Sequence, residues 1–105
     1  MNRDQYHEFH QAFCVEALTL SVRKNQDYAG RDGENPFRNF ERVAAMGVTT
    51  TEKGFLVRMV DKLSRLSGYC ESGTFAVDDE SFRDSCLDLI NYTCLLAAYM
   101  HRKDL

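Results

Sequence analysis

Tryptophan is absent from this sequence, proline occurs once, at Pro36, and glycine only six times in 105 residues. A chain so poor in backbone breakers has little to interrupt long helices. No uninterrupted apolar run approaches the ~20 residues of a membrane span, and the polar start Met1 to His7 has no apolar stretch of the kind a secretory leader carries. The expected location is therefore the cytoplasm. Positive charge is not in excess either: 13 lysines and arginines face 16 acids, for a net charge of -3, which argues against an unspecific grip on DNA or on an anionic membrane. Four cysteines are present, Cys14, Cys70, Cys86 and Cys94, but none forms a C-x-x-C pair. They match neither a zinc knuckle nor a redox motif and are expected to be reduced. No repeat, low-complexity tract or linker divides the chain.

What is there makes one domain, small enough that self-association would help bury its surface. Tyr6, Phe9, Phe13, Ala17 and Leu20 recur at helical spacing and predict a helix from about Asp4 to Lys24. The polar, glycine-bearing stretch from Asn25 to Asn35 predicts a loop. Asn35-Pro36 and Gly47 bracket a short helix over Phe37 to Met46, and Thr49 with Glu52 forms a capping-box pattern for the next. That third helix places Phe55, Leu56, Met59, Val60, Leu63, Leu66 and Cys70 on an inner side, with Arg58, Asp61, Lys62 and Arg65 outside. A connection through Gly68 and Gly73 leads to Asp78-Asp79, a candidate cap, and a final helix close to the carboxyl terminus. The expected fold is all-α, a compact bundle of about four helices, three long and one short. Beyond Tyr92 the last helix is apolar nearly all round, which predicts burial on every side and a homo-oligomer formed through it.

The last helix also carries acids: Glu80, Asp84 and Asp88 follow at i, i+4, i+8, with Asn91 in the same stripe. Like charges at that spacing cost roughly 0.2–0.5 kcal/mol each, so a cation or a set of donors should answer them. Interhelical salt bridges from Arg58, Lys62 and Arg65 are one answer. Mg²⁺, held by one or two carboxylates together with substrate phosphates, is the other. Between the first two helices, Lys24, Asp27, Tyr28, Asn35, Phe37, Asn39 and Phe40 combine a cation, amides and aromatics, an inventory suited to stacking a base and holding a phosphate. Phe37 and Phe40, at i, i+3, also suit a core. His7 and His10 share one helix face but have no third ligand near them in sequence.

Four segments, Lys24 to Gly30, Asn35 to Phe40, Val57 to Leu66, and Asp79 to Asp84 with Asp88 to Tyr92, resemble in that order the phage and bacterial nucleotide-modification-associated domain 1 family, a MazG-like group. The resemblance implies a helical fold related to all-α NTP pyrophosphatases, which use an acidic cluster to bind Mg²⁺ and cut nucleoside triphosphates to monophosphate and pyrophosphate. Residue by residue it implies catalytic and metal-binding roles for Asp61, Glu80, Asp84 and Asp88. Where MazG enzymes carry a doubled glutamate with another three residues on, this chain has Asp61 flanked by Lys62 and Arg65. Glu16 on the first helix is one further acid.

Two ligand-dependent functions follow as expectations, beside a third reading, an interaction protein whose ionic stripes only fasten a helical bundle and which binds no ligand. One is Mg²⁺-dependent pyrophosphohydrolysis, with the four acids on metal and water. The other is a phage anti-defence sponge that sequesters a nucleotide, linear or cyclic, without cleaving it. Both need the same ligand contacts: Lys24, Asp27, Tyr28, Asn35, Phe37, Asn39, Arg58, Lys62, Arg65 and Asn91.

Overall fold

The computed structural model describes residues 1–27, 34–73 and 80–102, with Gln26, Asp27 and Glu80 described by backbone alone. Four helices account for most of it: α1 (Arg3–Asp27), α2 (Arg38–Ala45), α3 (Thr51–Ser72) and α4 (Glu80–His101). The expected all-α bundle of three long helices and one short one is what the chain forms, and no described residue lies in a strand.

Local chemistry sets the boundaries. Asn2 and Gln5 cap α1 reciprocally: the Gln5 N–H donates to Asn2 Oδ1 and the Asn2 N–H to Gln5 Oε1, both at 2.9 Å. That satisfies two N-terminal groups the helix itself leaves unpaired, and starts it before Asp4. At its other end α1 runs to Asp27, three residues beyond the expected stop at Lys24. The Asn35 carboxamide initiates α2, its Oδ1 accepting from the Phe37 N–H at 3.0 Å while its Nδ2 donates to Glu41 at 2.8 Å. Gly47, at φ 76°, ends that helix. Its N–H bonds to the Ala44 carbonyl and that of Val48 to the Val43 carbonyl, the paired closure a left-handed glycine permits.

The cap of α3 is Thr50, not Thr49. Its hydroxyl accepts from the Lys53 N–H at 3.2 Å, so the third residue is a lysine and no capping box forms. The helix passes through Gly68 and stops at Gly73, φ 63°, whose N–H reaches the Tyr69 carbonyl. Gly68 is thus interior to a helix rather than part of a connection, and Asp78-Asp79 lie outside the described residues.

Packing is serial. Helix α4 lies against both α3 and α1, and α2 lies on α3. The core is aromatic at the α2 end: Phe55 is fully buried, stacks on Phe40 at 4.1 Å between ring centroids, and has Phe37 and Tyr99 edge-on or tilted at 6.4 and 5.7 Å. Such pairs add about 0.5–1.5 kcal/mol each beyond the area they bury. Ala17 and Leu87 are buried where α1 meets α4.

Three expected faces come out differently. Tyr6 and Phe9, on the apolar stripe of α1, are about half exposed because no described element covers the amino-terminal turns. On α3 the buried side is Phe55, Met59, Lys62, Leu66 and Tyr69, while Leu56, Val60 and Leu63 face outward. On α4, Cys94, Ala97, Ala98 and Met100 are exposed, so the described residues cover only one side of its apolar end. No described helix is long and apolar enough to cross a membrane.

Candidate functional site

An open cleft of about 1110 Å³ lies between α1 and the α2–α3 pair. Its floor is α4, through Asp88, Asn91, Tyr92 and Leu95. Ser21, Val22, Lys24 and Asn25 of α1 form one wall, and Arg38, Asn39, Phe40, Arg42 and Val43 of α2 with Gly54, Val57 and Arg58 of α3 form the other. Asn35 stands at its edge.

Charge is the feature that separates this cleft from the rest of an acidic chain. Among the described residues Lys24, Arg38, Arg42 and Arg58 line it, and Asp88 is the only carboxylate that does. Among the described residues no carboxylate pairs with Arg42 or Arg58. Asp88 is spoken for: Lys24 Nζ lies 3.1 Å from its Oδ1 and Lys62 Nζ 3.0 Å from its Oδ2. Burial differs sharply between the two lysines, with Lys62 15% exposed and Lys24 49%. One lysine is committed to the fold, and the other reaches into solvent at the cleft wall.

The remaining expected contacts divide. Arg58, Asn39, Asn91 and Lys24 line the cleft. Asn91 is also structural, because its Nδ2 donates to the Ala17 carbonyl at 3.0 Å, where the small side chain of Ala17 lets α1 approach α4. Asn35 uses both ends of its amide to start α2. Phe37 is not at the cleft but in the aromatic core, 5.4 Å from the Tyr99 ring. Arg65 lies off the cleft, paired with Asp61 at 3.6 Å across one helical turn, both side chains more than half exposed. Tyr28 lies outside the described residues, as does the side chain of Asp27.

Magnesium was expected on Asp61, Glu80, Asp84 and Asp88, and the donors described do not fit it. Both oxygens of Asp88 are occupied by ammonium groups, Asp61 turns to Arg65, and Asp84 is exposed. Among the described residues no three His, Cys, Asp or Glu side chains converge on one point. The side chain of Glu80 lies outside them. Glu16, the further acid, is engaged by the Arg83 guanidinium, which also sits 4.9 Å over the Phe13 ring.

Sequence reading missed Arg38, Arg42 and Tyr92. The first two stand at i, i+4 on α2, opposite the Phe40 and Val43 side that packs on α3, and that amphipathic spacing was the available signal. No family model, curated protein or solved structure matches this chain.

Proposed function

We propose that this chain is a nucleotide-binding protein that holds its ligand in the α1–α2–α3–α4 cleft without cleaving it. The observation that carries the reading is the inversion of charge: a chain of net charge -3 gathers four cations around one cleft, against a single carboxylate among the described residues that line it. Guanidinium groups hold phosphate oxygens in a planar, bidentate fashion, which suits Arg42 and Arg58. Phe40 and Tyr92, whose rings stand edge to face at 6.2 Å, offer aromatic surface for a base, with the Asn39 amide beside them. The poor fit of the described acids to Mg²⁺ favours retention over hydrolysis. A sequestering role, the sponge of the sequence reading, follows better from this cleft than pyrophosphohydrolysis does. Self-association belongs to the same reading, since large apolar side chains on α1 and α3 are left open to solvent.

The test is calorimetric titration with ATP, pyrophosphate and cyclic oligonucleotides, with and without Mg²⁺, followed by chromatography of the recovered ligand. Binding with intact ligand, weakened about tenfold by Arg42→Ala or Arg58→Ala, supports the proposal. Asp88→Asn discriminates further. The ligand should still be recovered intact from that variant, whereas pyrophosphate release that needs Mg²⁺ and disappears in Asp88→Asn would replace this reading with the hydrolase.

A further inference from the structure

Asp88 lies on the cleft floor with a lysine on each oxygen, and the two lysines are not alike. Lys62 Nζ, 3.0 Å from Oδ2, belongs to a side chain as enclosed as that of Asp88 itself, at 15% and 14% exposed. Lys24 Nζ, 3.1 Å from Oδ1, belongs to a side chain 49% exposed that lines the cleft. Among the described residues no other carboxylate pairs with either lysine. Two ammonium groups on one carboxylate leave one positive charge in excess. Because Lys62 is enclosed, it is Lys24 that presents this excess to the cleft.

Each of the three side chains has a separate task. A carboxylate withdrawn from water needs a counter-charge, and the enclosed Lys62 supplies it without help from α1. Lys24 is therefore not required to neutralise Asp88. Of its three N–H donors one goes to Asp88 Oδ1, which leaves two for an anion in the cleft. What Asp88 gives Lys24 is a fixed place. A lysine on its flexible four-carbon stem surrenders rotamer freedom when it takes hold of a ligand, and one already tethered has surrendered much of it beforehand. Without Lys62 the same carboxylate would cancel the charge of Lys24 and repel a phosphate.

We propose that Asp88 is a positioning residue: with Lys62 as its enclosed counter-ion, it holds the Lys24 ammonium at the cleft wall to receive a phosphate group of the ligand. The inference rests on the nucleotide-binding reading. It adds a third phosphate-binding cation, carried by α1, across the cleft from Arg42 of α2 and Arg58 of α3.

Calorimetric titration of ATP and of pyrophosphate into the wild type, Lys24→Met, Asp88→Asn and the double variant tests it, with circular dichroism to establish that each is folded. Lys24→Met should weaken both ligands about tenfold, since the phosphates are common to them and the base is not. Asp88→Asn should weaken them about threefold while Lys24 is present, and not at all when Lys24 is already methionine. Equal weakening in both backgrounds overturns the proposal, because damage to the cleft would not depend on Lys24. Unchanged or tighter binding in Asp88→Asn also overturns it, by showing that the carboxylate competes with the ligand for the ammonium. Should Asp88→Asn fail to fold, Asp88→Glu takes its place: the counter-charge for Lys62 stays, the oxygens move by one methylene, and the same background-dependent loss is expected. If the wild type binds neither ATP nor pyrophosphate, the nucleotide-binding reading falls and the positioning role with it. If the wild type binds and Lys24→Met binds equally well, only the positioning role falls.

Discussion

Lys24 and Lys62 meet on the two oxygens of Asp88, although the helices that carry them pack nowhere against each other. A single carboxylate on α4 thus ties α1 to α3. Asp88→Asn leaves the nearly buried Lys62 ammonium without its counter-ion, and the expected loss is about 1.5–3 kcal/mol, the range for hydrogen bonds to charged groups. Lys24→Ala, at a half-exposed pair, should cost less than about 1 kcal/mol. Urea denaturation of both variants checks the ordering.

Phe55 and Leu63 make the sharpest contrast in the core. Phe55→Ala opens a cavity among Phe37, Phe40 and Tyr99 and should cost about 3–5 kcal/mol. Leu63 is 53% exposed. In denaturation at concentrations low enough to keep the chain monomeric, Leu63→Ala should change stability by no more than about 0.5 kcal/mol. A loss of 2 kcal/mol or more there would show that the outer side of α3 is folded inward.

A glycine inside α3, Gly68, and the one that caps it, Gly73, respond in opposite directions to the same substitution. Nothing lies within 4 Å of a methyl group added at Gly68, and its place is helix interior, so Gly68→Ala should stabilise by about 0.5–1 kcal/mol. Gly73 holds φ 63°, and Gly73→Ala should cost about 1–2 kcal/mol for the left-handed conformation. Thermal melts of the two variants should move to either side of the wild type.

Burial pushes the Cys86 thiol up from its ordinary value, with the nearby Cys70 adding to the effect, so less of it is thiolate at a given pH. Cys14, Cys70 and Cys94 are exposed. At about pH 8, iodoacetamide should label those three before Cys86, and the lag should shrink as pH rises. Mass spectrometry of partly alkylated protein reads the order; equal rates would mean the helices part readily at Cys86.

Element type was legible in the sequence because breakers are scarce and Gly47 stops α2 where it stands, although α2 is capped at Phe37 rather than at Asn35 and Gly73 ends α3 rather than joining Gly68 in a connection. Faces were legible only where polar and apolar residues alternate cleanly. In the run from Phe55 to Val60 apolar residues occupy every azimuth but one, so spacing alone permits either side of α3 to be the inner one. The choice fell wrongly on Leu63 because a lysine was assigned to the surface, whereas Lys62 takes the inward position with Asp88 as its partner. The same residue pair explains the reading of the acidic stripe. A carboxylate looks alike in sequence whether it faces a metal or an ammonium group, and at Asp88 the groups that face it are the Lys24 and Lys62 ammoniums. Lys24, Arg58, Asn39 and Asn91 were recognisable as cleft residues, but Arg38 and Arg42 became visible only once α2 was seen to turn one side to α3.

The hydrogen bond from Asn91 to the Ala17 carbonyl joins residues 74 apart, and the other α1 attachments, Lys24 to Asp88 and Arg83 to Glu16, span 64 and 67. Contacts of such separation close only after nearly the whole chain has been placed, whereas α2, α3 and α4 follow one another and pack as neighbours. Loop-closure entropy thus favours packing α2, α3 and α4 before α1 docks, and local opening of the native state should release α1 first. Because Ser21, Val22, Lys24 and Asn25 of α1 form one wall of the cleft, the cleft lasts only while α1 stays docked. A ligand lodged against Lys24 would slow the peeling of α1, so occupancy and the lifetime of the folded chain rise together.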